Sequence, residues 1–315
     1  MLDAAHTTVI ANPAARGGWV RKHWSSLAAE IERHLGRVRF ARTSRPGDAR
    51  ILARKAIEEG ATCLVSFGGD GTHGEVVAGI LDQGAGDRVS LGILNAGTGG
   101  DFRKLLIDAG TLEGACRTIA KTEPVPVDVG RVEYQGDAGA REDRHFLNIV
   151  TAGIGGLVDR YVNESRLRLG GTLDYAIATL RANVRYRPAR LRVEVDGATM
   201  GEYVVNAVCV CNGRYAGGGM FLAPSARIAD GLFEVVVIEA APLLQALAVG
   251  KAIYSGAHLE SRLVHHARGR RVVLTPLTSD AAYLDVDGEA PGVAPATVEV
   301  LPGAIRLHGP RADVL

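Results

Sequence analysis

The sequence predicts two domains of different class: an N-terminal α/β domain on a mainly parallel sheet, then a largely antiparallel β domain, a sandwich. Three observations carry this. The 315 residues suit two domains, and 47% apolar content can fill two cores. Strand-like and helix-like apolar periods alternate over the first ~125 residues, the pattern of a parallel sheet covered on both faces. Beyond residue 129 strand-like runs succeed one another, separated by turn signals such as Asp196-Gly197 and Asp230-Gly231. The expected domains are residues 1–128 and 129–310, with a tail at 311–315.

In the first half, residues 7–11 form a strand stopped by Asn12-Pro13. Val20, Trp24, Leu27, Ile31 and Leu35 recur at helical spacing, and Gly36 ends that helix. A second strand covers 38–41. Pro46-Gly47-Asp48 opens a helix carrying Ala49, Leu52, Ala53, Ala56 and Ile57, closed by Gly60. Residues 61–67 and 91–94 are the third and fourth strands. In the second half strands are expected over 131–135, 145–150, 190–195, 203–211, 232–238, 271–275, 283–286, 297–301 and 304–308. Helices are expected over 173–184, with Thr172 as N-cap, and over 243–254 after Pro242.

Lys plus Arg number 36 and Asp plus Glu 35, so the net charge of +1 excludes a general nucleic-acid binder. The four cysteines lie in apolar runs, which is not a secreted disulfide framework. Cys209 and Cys211 read as one buried strand face, since no second pair or histidine accompanies them. There is no basic apolar leader and no run of about 18 apolar residues. The expected location is cytoplasmic, with at most peripheral contact at the inner membrane surface. His265-His266, among Arg262, Arg268, Arg270 and Arg271, reads as a solvated loop or as a contact for anionic headgroups.

The chemistry concentrates at Gly68-Gly69-Asp70-Gly71-Thr72, where an apolar strand runs into a helix. Thr72 and Glu75 have capping-box spacing, which predicts a helix start at Thr72. A helix start offers unpaired amides and a positive dipole end, and glycines let a phosphate approach the backbone. Asp70 would repel a bare phosphate, but suits a Mg2+ held beside phosphates. The plain alternative is a tight turn with no ligand. The spacing fits neither the Lys-bearing P-loop nor the Gly-x-Gly-x-x-Gly dinucleotide pattern. A second glycine turn, Gly97-Thr98-Gly99-Gly100, follows the fourth strand. Thr98 can offer a hydroxyl to phosphate or metal, and Asp101 is either the cap of a following helix or a catalytic acid. Two such turns at the carboxyl ends of nearby strands should face one crevice.

These residues resemble the diacylglycerol kinase catalytic-domain family of lipid kinases, and the resemblance covers nearly the whole chain. Asn12-Pro13 with Arg16-Gly17-Gly18 is similar to its first nucleotide loop, and Thr43 ahead of Pro46-Gly47-Asp48-Ala49 to its second. Gly68 to Thr72 with Glu75 and Val76 is similar to the signature, and Gly97-Thr98 with Asp101-Phe102 to the next motif. Asn212-Gly213, Tyr215 to Met220, Ala223-Pro224, Asp230-Gly231-Leu232 and Asp287-Gly288-Glu289 continue the series. The resemblance implies an ATP-binding domain, a β-sandwich and an active site in the cleft between them. It implies a structural Mg2+ near Asp230, held partly by the carbonyls of Arg227 and Leu232. Asp287 or Glu289 would take the proton from a lipid hydroxyl, and Asp70 would hold Mg2+ beside the phosphates. The implied partner is a lipid substrate met by transient membrane contact; a homodimer is also admitted.

Departures from the family are Gly74 and Gly100, where polar residues are usual, and Asn95 in place of the usual Pro. They motivate two competing readings, an NAD kinase-like small-molecule kinase and a non-catalytic nucleotide or lipid sensor. Asp287-Gly288-Glu289 by itself also reads as a plain hairpin turn.

Overall fold

In the computed structural model, which describes residues 3–97, 100–136, 139–164, 181–182 and 185–315, the chain divides into two units. The first comprises Met1–Val129, Arg227–Gly231 and Leu301–Leu315, the second Gly130–Ala226 and Leu232–Val300.

Four strands build the sheet of the first unit: β1 (Thr7–Ala11), β2 (Arg39–Arg42), β3 (Cys63–Gly68) and β4 (Ser90–Asn95). Their order is β4-β3-β1-β2 and all pairs are parallel. β1 and β3 are buried at every position, as expected where helices cover both faces. Those helices are α1 (Ala15–Lys22), α2 (Trp24–Leu35), α3 (Asp48–Glu58), α4 (Asp70–Asp82) and α5 (Leu112–Lys121). The single helix predicted through Val20 and Leu35 is two, broken at His23. Arg16, Gly17 and Gly18 take φ of 53, 63 and 84°, so regular helix in α1 begins only after them.

Arg306 and Leu307 extend this sheet, pairing in parallel with Ser90 and Leu91 of β4. Residues 301–315 therefore belong to the first unit, not to the second domain or a tail. Ile228 N donates to Val314 O at 2.7 Å and the Arg227 side chain, through Nη1, to Leu315 O at 3.0 Å, which ties residues 314–315 to the 227–231 segment.

The second unit is antiparallel. Its strands are β5 (Val125–Gly136, from Gly130 on), β6 (Arg141–Phe146), β7 (Ile149–Gly153), β8 (Arg190–Val195), β9 (Ala198–Cys211), β10 (Tyr215–Ala216), β11 (Met220–Phe221), β12 (Phe233–Glu239), β13 (Val264–Gly269), β14 (Arg271–Pro276), β15 (Leu284–Val286) and β16 (Gly292–Leu307, as far as Val300). The first half of β9 pairs β8, and its second half lies between β7 and β12. One sheet runs β15-β7-β9-β12-β13, the other β9-β8-β14-β16-β5-β6. Alternate residues of both sheets, among them Leu191, Val193, Val208, Val210, Phe233, Val235, Val272 and Leu274, meet in one core, which is the sandwich.

Helices α6 (Ile154–Glu164) and α7 (Leu243–Ile253) belong to this unit. Val249 and Ile253 of α7 pack with Cys209, Cys211, Val236 and Ile238 on the other face of the first sheet. Both cysteines are buried there, and burial pushes Cys209 up to about 12. The helix expected over 173–184 lies almost wholly outside the described residues.

Three strand expectations change. The run 145–150 is the end of β6 and the start of β7, joined by Leu147 and Asn148. The His265-His266 stretch is not a loop but β13, an edge strand whose outward positions carry His266 and Arg268. The runs 297–301 and 304–308 are one strand, because Pro302-Gly303 is where β16 passes from partner β14 to partner β4.

Candidate functional site

In the first unit β3 delivers Gly68 and Gly69 to the start of α4, which begins at Asp70, two residues before the predicted Thr72. The capping box does not form. The Glu75 carboxylate instead accepts Gly47 N at 2.7 Å and Ala49 N at 3.0 Å, capping α3 in place of its own helix. The first bond of α4 runs from His73 N to Gly69 O at 3.1 Å, so the amides of Asp70, Gly71 and Thr72 precede the ladder at the positive end of the dipole.

Each neighbour of these amides is fixed. Asn12 Nδ2 donates to Thr72 Oγ1 at 3.1 Å while its Oδ1 accepts Ala14 N at 2.9 Å, joining the first loop to the turn. A Cβ on Gly68 would stand 2.5 Å from Thr72 Oγ1, which is why that position has no side chain. His73 is buried with Nδ1 at 2.7 Å from Ser66 Oγ, and burial pushes its ring down to about 4. It is a neutral packing residue, not a base.

β4 brings the second glycine turn alongside. Ala96 N and Gly97 N both donate to Gly68 O, at 2.6 and 3.2 Å. A Cβ on Gly97 would lie 3.1 Å from Gly69 Cα, so the two glycine backbones are in contact. Asn95 Oδ1 accepts Gly97 N at 3.2 Å. Gly100 has φ of 64°, and a Cβ there would fall 2.4 Å from Asn95 Nδ2. Asn95 and Gly100 are thus coupled: the Asn95 amide fills the space beside a side-chain-free Gly100.

Thr98 lies outside the described residues. Asp101 does not cap the short 3-10 turn Phe102–Leu105; its buried carboxylate accepts Lys104 Nζ at 2.6 Å. Thr43 leaves β2 with its N–H on Ala11 O at 3.0 Å. Pro13 O accepts Arg21 N at 3.2 Å, and the exposed Arg16 guanidinium lies 5.1 Å from the Trp19 ring centre.

Near Asp230 the first unit holds a buried acid that motif reading passed over. Asp128 accepts Gly231 N at 2.7 Å and Gly303 N at 2.8 Å. Burial, and to a lesser degree the charge of Asp230, raise its carboxyl. A lone acid within Val125-Pro126-Val127-Asp128-Val129 was the available signal. The oxygen donors at Asp230 and the adjacent carbonyls are hard ligands that suit Mg2+.

In the second unit Asp287 and Gly288 take φ of 50 and 86°. Val286 N donates to Glu289 O at 2.8 Å and Glu289 N to Val286 O at 3.1 Å, a two-residue hairpin with both central residues left-handed. The two acids then separate by environment. Asp287 is half-buried and turns its carboxylate toward the β6–β7 connection, accepting Leu147 N at 2.8 Å, Asn148 N at 3.1 Å and Ile149 N at 2.8 Å. Burial pushes its carboxyl up to about 6, against the pull of those three amides. Glu289 is half exposed and hydrogen-bonded by Arg144, a residue no motif singled out.

Asn212 Nδ2 donates to Leu147 O at 2.7 Å, and Asn148 Nδ2 to Tyr215 O at 2.8 Å. The Asn212-Gly213 motif and Asp287 therefore brace the same connection. Gly217 to Gly219, with φ of 58, 83 and 126°, turn β10 into β11.

Parallel strands thus feed two touching glycine turns in the first unit, and an antiparallel sandwich carries an acidic hairpin in the second. The diacylglycerol kinase catalytic domain family matches residues 6–132, and the YegS C-terminal NAD kinase beta sandwich-like domain matches residues 148–309. The chain is 32% identical to a probable YegS-like lipid kinase of Pseudomonas aeruginosa, over 91% of this chain and 90% of that one. It is 28% identical to a diacylglycerol kinase of Bacillus subtilis, with the same coverage of 91% and 90%. A solved diacylglycerol kinase structure from Bacillus anthracis superposes with a TM-score of 0.68 at 20% identity, covering 98% of each chain, a likeness of fold. The chain belongs to the diacylglycerol kinase-like, YegS-like lipid kinase family.

Proposed function

We propose that this protein transfers the γ-phosphate of ATP to a hydroxyl of a lipid acceptor of the diacylglycerol, phosphatidylglycerol or sphingoid type. The observation that carries the reading is the pair of touching glycine turns beside the uncapped start of α4. The amides of Gly69 to Thr72 would cradle the phosphates, with Thr72 oriented by Asn12. Asn12, Pro13, Arg16, Thr43, Gly97, Thr98 and Asp101 complete the nucleotide surroundings, and Glu75 sets the second loop through α3.

Asp70 would hold Mg2+ beside the phosphates, and Asp230 with the carbonyls of Arg227 and Leu232 would hold a structural one. Bound Mg2+ supplies neutralisation of charge on the γ-phosphate and leaving oxygen. Glu289, oriented by Arg144, takes the proton of the acceptor hydroxyl as its oxygen attacks the γ-phosphorus and ADP leaves. Asp287 acts as a positioning residue, because its carboxylate accepts the backbone amides of residues 147–149.

The test is transfer of labelled γ-phosphate from ATP into a bacterial lipid extract, with NAD as a parallel acceptor. A labelled lipid is the expected product. Label on NAD alone would favour the NAD kinase-like reading, and ATP binding without transfer to either would favour the sensor.

A further inference from the structure

We propose that helix α7 and the residues at its start form a surface that rests on an anionic lipid bilayer. The proposal rests on the lipid-kinase reading, which supplies a reason to meet a membrane.

The helix has two apolar sides. Val249 and Ile253 are buried against β9 and β12, which anchors it. Leu243, Leu244, Leu247 and Tyr254 form an outward stripe and are 71, 81, 59 and 63% exposed. Val204, 47% exposed, adjoins its start, for its carbonyl accepts Ala240 N at 2.8 Å. An exposed apolar patch of this kind marks an interaction surface. No helix among the described residues is long and apolar enough to cross a membrane.

Charge decides which occupant. Between Glu239 and Glu260 the only charged residue is Lys251, within the outward stripe. Leu263 O accepts Glu239 N at 2.9 Å, which sets Arg262 on one flank of the helix start. On the other flank Arg190 lies opposite Val204 and is paired with Glu202. Lys251 and Arg262 form no ion pair among the described residues. The nearby acids are occupied: Glu239 is 2.5 Å from His265, and Glu202 pairs with Arg190 and Arg192, leaving Glu260 beyond the helix. A second copy in a two-fold contact would set these cations against their own images. An anionic bilayer takes the leucines at its acyl boundary and the cations at its headgroups, with Lys251 reaching up by its apolar stem.

The experiment is vesicle cosedimentation of the full chain, without nucleotide, on phosphatidylcholine with and without phosphatidylglycerol. Wild type is expected to sediment with the anionic vesicles. Leu244→Glu with Leu247→Glu should weaken binding at least about tenfold, and Lys251→Glu with Arg262→Glu should remove the preference for phosphatidylglycerol. As a measurement independent of these charges, Leu244→Trp should shift its fluorescence to the blue on the same vesicles. Wild type remaining in the supernatant, or leucine variants that bind like wild type, would overturn the proposal. So would a wild-type dimer that the glutamates split without altering vesicle binding, which assigns the face to a second copy. Transfer to detergent-dispersed diacylglycerol is scored separately and should be unchanged in these variants. Its absence in wild type counts against the lipid-kinase reading, whereas the vesicle arm alone decides the surface.

Discussion

Glu75 is the residue whose role differs most from its motif. In sequence it reads as the partner of Thr72 in a capping box; in space it caps α3, four residues beyond Thr43. Local spacing cannot reveal an acceptor for amides 26 and 28 positions away. Glu75→Ala should cost about 1–2 kcal/mol in urea denaturation and weaken ATP binding, with Glu75→Gln intermediate. His73 gives a pH signature. Its folded ring sits at about 4 against 6.5 when free. Between those values the unfolded chain binds a proton that the native one refuses, so stability is full above about 6.5 and falls as pH drops toward 4. The loss should approach about 3 kcal/mol between pH 7 and 4. His73→Gln should be less stable overall, and the urea midpoint should lose this part of its pH slope. The acids of the hairpin should part company as well. Asp287→Asn turns an amide NH2 toward backbone donors and should cost about 3 kcal/mol. Glu289→Gln should leave the melting curve unchanged and lower transfer about 10²-fold or more.

At the scale of elements, the regular strands of both units were legible because their period-2 or fully apolar patterns match their burial. Residues 190–195 form β8 without change of limits. What escaped was set by partners rather than pattern. β13 was hidden by its charges, which an edge strand tolerates on its outer face. β16 was split at Pro302-Gly303, where a positive φ of 56° at Gly303 and its bond to Asp128 accommodate the change of partner. Close packing of α3 on α4 depends on Gly79, whose Cβ would fall 2.6 Å from Ala53 Cβ and 2.7 Å from Arg50 O. Gly79→Ala should therefore cost about 1–3 kcal/mol in thermal unfolding, despite the better helix propensity of alanine. The helix whose start bears Glu75's ligands would shift with it.

At the scale of the whole molecule, the sequence reading reached the fold class and the family, since both rest on many motifs in order. It did not reach the return of residues 227–231 and 301–315 to the first unit, which depends on pairings between distant segments. It named the glycine turns but not their contact at Gly69 and Gly97, nor the compensation of Gly100 by Asn95. The account turns on where the triphosphate sits. Amide chemical shifts of the 15N-labelled protein, followed while a non-hydrolysable ATP analogue and Mg2+ are added, test this directly. The largest changes should fall on Gly69, Asp70, Gly71, Thr72 and Gly97. Saturable binding that leaves these amides unmoved while others shift would contradict the account.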